Sequence, residues 1–96
     1  MAKMEAPKHL RKSAKRFYMA MLEDYEINDA GGLALLRAAA EAFERAEDAR
    51  KIIKKEGAVI VDRFDQKKPH PAVSIERDAR GQLIAAIRAL KLEVIL

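Results

Sequence analysis

The chain has no cysteine, no tryptophan and only five aromatic residues. Without cysteine there is no disulfide framework and no thiolate zinc site, a pattern that fits the cytoplasm. With so few aromatic rings, stacking on the bases of single strands is a poor expectation. The core must instead be built from Ala, Leu, Ile, Val and Met. No uninterrupted apolar run approaches the roughly 20 residues that a membrane-spanning helix needs. The basic start of the chain is not followed by the apolar stretch of an export signal.

Glycine is equally sparse. Gly31, Gly32, Gly57 and Gly81 never form the phosphate-cradling loop that precedes a Lys-Ser/Thr pair, so nucleotide hydrolysis is not expected. Ser13 and Ser74 have no elbow motif and no plausible triad around them. His9 and His70 are the only histidines, so a multi-histidine metal site would need two subunits. Asp62, Asp65, Glu76 and Asp78 fit no metal-binding loop and suit turns and helix starts better. The sequence therefore predicts no enzyme, no cofactor and no metal.

The 96 residues suffice for one domain. At this size a lone core is marginal, because folding buries only about 60–65% of the unfolded surface. Half the residues are apolar and 35% are charged, which suits a helix-rich protein. The net charge of +4 permits anionic partners without requiring one. Residues 1–7 read as a disordered N-terminus, and residues 8–96 as a single helical domain.

Apolar spacing predicts a first helix from Lys8 to about Tyr25, with Leu10, Ala14, Phe17, Tyr18, Met21 and Tyr25 on one face. Its charge order opposes the helix dipole: basic residues crowd the start, and Glu23, Asp24 and Glu26 the end. Asn28 or Asp29 can cap a second helix. Nothing then breaks that helix before Gly57, a natural stop. About 27 residues at 1.5 Å each give a rod near 40 Å, longer than a compact domain of this size can cover. Glu41–Arg45 and Glu47–Lys51 are spaced as i,i+4 pairs along it.

The long helix carries two apolar stripes. One runs through Ala38, Ala42, Ala46, Ala49 and Ile53; the other through Leu36, Ala40 and Phe43. A surface helix needs only one, so two stripes predict contacts on two sides. A short strand, Ala58 to Val61, follows Gly57, and Asp62 to Lys68 can form a turn and a second strand. A lone hairpin is marginal in water and must pack on the helices or on another subunit. Val59 and Val61 join the candidate interface on that ground. His70-Pro71 opens a last helix, with His70 suited to capping and Pro71 to the first turn. Ala72, Ile75, Ala79, Leu83, Ala86, Ile87 and Leu90 share its apolar face. The fold class expected is mainly α: a helical hairpin with one very long helix, a short β-hairpin and a final helix.

Three basic groups are candidates for phosphate contact. The first, Lys8, His9, Arg11, Lys12, Lys15 and Arg16, ranks highest because the helix dipole does not explain it. The second, Arg50, Lys51, Lys54 and Lys55, suits the end of a helix in any case. The third is Arg63, Lys67 and Lys68. Contacts of this kind depend on salt and little on base sequence.

The stretch from Phe17 to Leu92 resembles the small terminase subunits of tailed phages, specifically the P27-like (HK97-type) family. The likeness lies in the order of parts: an Asp before a long Ala-rich helix, the Gly57 stop, a short hairpin, His70-Pro71 and a final helix. Where that family continues into a Gly-Leu-Thr-Pro-like segment, this chain has Ala89-Leu90-Lys91-Leu92-Glu93-Val94. The resemblance implies a non-enzymatic packaging factor of the host cytoplasm. Such a factor assembles as a ring homo-oligomer, binds double-stranded viral DNA at the packaging-initiation site, and delivers it to the large terminase subunit that carries the ATPase and nuclease. It implies no membrane partner. Two other readings remain: a small helical DNA-binding transcriptional regulator, and a purely structural helical oligomer. Against the regulator, the helix after Glu26-Ile27-Asn28-Asp29 lacks base-reading side chains in its first turns.

Overall fold

A computed structural model describes residues 5–90. In chain order it contains α1 (Lys12–Asp24), α2 (Ala30–Glu56), β1 (Val59–Val61), β2 (Lys67–Pro69) and α3 (Pro71–Ala89). Among the described residues no helix is long and apolar enough to cross a membrane.

The 27-residue α2 is the axis of the molecule. The Asp29 side chain caps its start by accepting from the Gly32 N–H at 2.9 Å. Its end is set by Gly57, whose φ of 87° lies where a Cβ is costly. The radius of gyration is 16.6 Å, and the body measures 60 × 29 × 22 Å. A compact chain of this length would give about 12–13 Å. The elongation inferred from the uninterrupted helix is therefore present.

Most of both apolar stripes of α2 is covered by the chain itself. Leu36, Ala40 and half-buried Phe43 meet Leu10, Ala14, Tyr18 and Leu22, and Phe17 stacks on Phe43 with ring centroids 4.8 Å apart. On the other side Ala39, Ala42, Ala46 and Ala49 are buried, as are Ala72, Ala79 and Ala86 of α3. The two sets recur at heptad-like spacing on helices that pack along much of their length. Small side chains on both helices let the backbones approach closely. Leu36, Ala42, Ala46 and Ala49 are thus core residues of the protomer. α1 and α3 supply contacts on the two sides of α2 that the stripes predict. A charge at Ala42 would break the α2–α3 seam before it could test any assembly. Ala38 is exposed and Ile53 half-buried.

Other boundaries differ from expectation. The first helix begins at Lys12, four residues late, because Leu10 turns back on Pro7 (N–H to carbonyl, 3.3 Å) and buries its side chain in the core. Residues 1–4 lie outside the described residues; Ala6 packs against the core. Tyr18 is buried, but Tyr25 lies beyond the helix end and is 41% exposed. The expected Glu41–Arg45 and Glu47–Lys51 pairs are not formed, since Glu41 turns to His9 and Glu47 to Ser13. Ile75 points outward from α3. The tail from Leu92 to Leu96 lies outside the described residues.

The hairpin is antiparallel, with Val59 opposite Pro69 and Val61 opposite Lys67. Its second strand, Lys67–Pro69, follows a turn that Asp62 organises. The Asp62 carboxylate accepts from the N–H groups of Phe64 (2.8 Å) and Gln66 (2.9 Å). His70 joins the hairpin to the helices. Its N–H donates to the Ala58 carbonyl at 2.8 Å. Its Nδ1 accepts from the Ala72 N–H at 2.9 Å, which leaves the proton on Nε2, facing Glu56 Oε1 at 3.1 Å. The capping role expected of His70 is present.

Two glycines yield opposite expectations. A Cβ at Gly81 would meet nothing within 4 Å. Gly81→Ala should therefore raise stability by about 0.5–1 kcal/mol in urea denaturation. At Gly32 a Cβ would lie 2.7 Å from Asp29 Oδ1, the oxygen beside the one that accepts the capping bond, and 2.9 Å from Ile27 Cγ2. Gly32→Ala should lower stability by about 1 kcal/mol, the typical loss of a cap.

Candidate nucleic-acid interface

α1 runs back along the first part of α2, so its basic start lies beside residues 41–48. Glu41, Glu44, Glu47 and Asp48 line one face of α2 there, at i, i+3, i+6 and i+7. His9 Nε2 lies 2.7 Å from Glu41 Oε2. The Arg11 N–H donates to Glu44 Oε1 at 2.6 Å. The Arg11 guanidinium hydrogen-bonds Asp48 and lies 3.7 Å from Glu44. Ser13 Oγ donates to Glu47 Oε2 at 2.5 Å. The Asp48 hydrogen bond, with its charge, pushes the Arg11 pKa up. This ladder accounts for His9 and Arg11, just ahead of α1, and leaves the basic residues within α1 unexplained by pairing. The row is legible in the sequence as a spacing, but pairing within α2 is an equally good use for it at that level.

The first basic group therefore divides. His9 and Arg11 clamp the N-terminal segment to α2. Lys8, Lys12, Lys15 and Arg16 are exposed, and no acidic partner contacts them among the described residues. Lys12, Lys15 and Arg16 form one solvent-facing edge of α1.

The second group lies near the end of α2, where Lys54 and Lys55 are exposed. The third divides as the first does. Lys68 Nζ is 3.2 Å from Asp62 Oδ2, and the Arg63 guanidinium sits 4.9 Å from the Phe64 ring centroid. Lys67 is exposed on the outer hairpin face. The start of α1 reaches Asp48, less than two turns from Lys54. The three groups therefore run from about the middle of α2 to the hairpin end. The opposite end, the α1–α2 corner, carries Glu23, Asp24, Glu26 and Asp29. No Lys or Arg occurs from residue 17 to residue 36. A cleft of about 440 Å³ lies between the hairpin and the start of α3, lined by Lys68, His70, Ser74 and Arg77 among others. Its polar groups are engaged: Lys68 with Asp62, Arg77 with Asp78 at 3.5 Å, and Ser74 Oγ with the Pro71 carbonyl at 3.1 Å.

The Gln66 backbone, then Lys68 and Phe64, hold the Asp62 pKa below its ordinary 3.8, against a smaller opposing effect of burial. A lowered folded-state pKa stabilises the turn fully above the unfolded value. That contribution is lost as pH falls through the folded value. Protection of the Phe64 and Gln66 amides, taken relative to their intrinsic exchange rate at each pH, should therefore be present near neutrality and fall in acid. Asp62→Ala should remove that protection at every pH.

The sequence matches the family model for phage terminase, small subunit, over residues 15–94. No curated protein and no solved structure matches the chain. The match spans both helix junctions, the hairpin and the His70-Pro71 cap, and on that extent the chain belongs to the phage terminase small subunit family.

Proposed function

We propose that this chain is the DNA-recognition component of a phage or prophage packaging machine, of the P27-like (HK97-type) kind. In this reading it is a non-enzymatic factor in the host cytoplasm. It assembles as a homo-oligomeric ring, binds double-stranded viral DNA at the packaging-initiation site, and recruits and regulates the large ATPase-nuclease subunit. Family membership supports the packaging role. The observation that carries DNA contact is the exposed edge of Lys12, Lys15 and Arg16 on α1, which no acidic side chain contacts among the described residues.

The internal ion pairs refine which residues touch phosphate. Lys8, Lys12, Lys15 and Arg16, with Lys54 and Lys55, are the exposed cations proposed to contact the DNA backbone. His9 and Arg11 support that edge from behind. Lys68 holds the hairpin turn. A basic edge without aromatic platforms suits duplex phosphates and gives binding that weakens steeply with salt. A regulator that reads bases with a recognition helix is less well supported. The start of α2 is Ala-Gly-Gly-Leu-Ala, with no side chain suited to a base edge.

Replacing Lys12, Lys15 and Arg16 with Glu should weaken binding to duplex DNA by about tenfold or more at 0.1 M salt. The slope of log K against log salt should fall by about 0.9 for each phosphate that is no longer neutralised. Fluorescence anisotropy across a salt series measures both. Unchanged affinity and slope would reject this edge as the DNA-binding surface. Thermal unfolding of the variant should remain close to that of the parent, since none of the three side chains is buried.

A further inference from the structure

The two ends of the molecule differ in chemistry as well as charge. At the hairpin end Val59, Val61 and Phe64 are 57%, 58% and 67% exposed. Val59 and Val61 share the outer hairpin face with Pro69 and Lys67, their cross-strand partners. The hairpin's flanking hydrogen bonds run from Asp62 to Gln66 and from His70 to Ala58. Alternation then turns the N–H and C=O groups of Val59 and Val61 to the free edge of β1. The free edge of β2 is protected, because Pro69 has no N–H and Lys67 adds a charge. The β1 edge has neither defence.

We infer that this hairpin face and β1 edge dock on the acidic α1–α2 corner of a second copy of the chain. The charges select that occupant. Residues 50–70 carry seven Lys and Arg against three Asp and Glu. The corner carries four carboxylates and no cation, and Glu23, Asp24 and Glu26 are exposed there beside Tyr25. Two hairpins meeting edge to edge would oppose Arg63 and Lys67 to their own copies, a like-charge contact that disfavours a two-fold dimer. Hairpin to corner pairs opposite charges and lays the Tyr25 ring against the valines. The two surfaces sit at opposite ends of α2, so the contact is heterologous and repeats from copy to copy. It closes into a ring when the rotation permits. The inference rests on the assembly part of the proposed function and specifies its surfaces.

Charge exchange tests it. One variant reverses the corner (Glu23→Lys, Asp24→Lys); Asp29 is left intact as the cap of α2. A second reverses the hairpin (Arg63→Glu, Lys67→Glu). Circular dichroism checks that each remains folded, and native mass spectrometry reads assembly. The wild type should form a multi-subunit species. Each variant alone should be monomeric, with the apparent dissociation constant raised roughly tenfold or more. Mixed one to one, the two should reassemble into alternating species with an even number of subunits. Either variant retaining the wild-type mass, or a mixture that stays monomeric, overturns the inference and leaves the ring reading standing. A wild type that is monomeric at all salt concentrations overturns both. Val61→Ser, which keeps every charge, should also lower assembly; wild-type mass in that variant would reject the valine contact.

Discussion

The close approach of α2 and α3 is the constraint on which the rest depends. Ala39, Ala42, Ala46 and Ala49 on one helix, and Ala72, Ala79 and Ala86 on the other, are all buried. Side chains this small bury little area each, so the seam must be long to stabilise the fold. Length in turn requires that neither helix be interrupted, and it draws the molecule out to 60 Å. The connection between the two helices must then reverse direction tightly. Gly57 ends α2, Asp62 builds the hairpin turn, and His70 binds the Ala58 carbonyl while capping α3. Hairpin and cap are consequences of the seam.

α1 answers a different need. The first half of α2 has a second apolar stripe that α3 cannot cover, and α1 closes it with Ala14, Tyr18 and Leu22. The antiparallel return sets basic residues against Glu41, Glu44, Glu47 and Asp48. These pairs are largely exposed, so each adds little stability. Their main effect is positional. They hold the segment from His9 to Ser13 against α2 and leave Lys12, Lys15 and Arg16 facing solvent. A charge order that is unfavourable for an isolated helix thereby becomes a polarity of the whole molecule. One end is basic with an exposed hairpin, and the other is an acidic corner. In the function proposed above, that polarity would link DNA contact and subunit contact to one arrangement of charge.

Much of this architecture is legible in the chain. The Asp29 cap, the Gly57 stop, the 27-residue helix, the His70 cap and the apolar face of α3 through Ala72, Ala79 and Ala86 all follow from local chemistry. Each depends on residues within about one turn of one another. The shape also follows, because an unbroken helix has a fixed rise per residue. Partners across space do not follow. The two stripes on α2 predict contacts on two sides but not what makes them, and α1 and α3 cover Leu36, Ala42, Ala46 and Ala49. His9 and Arg11 read as free cations, yet they face carboxylates more than 30 positions away.

The sequence by itself therefore determined the elements, both ends of α2 and the start of α3, the elongated form and the family. These come from periodicity, caps and glycine conformations, which are short-range properties. Only the tertiary structure decided which cations remain free and which apolar stripes are already covered. Those outcomes depend on the antiparallel return of α1 and on the depth at which alanines let α3 approach. A periodicity shows that a face must be buried; the packed fold shows what buries it.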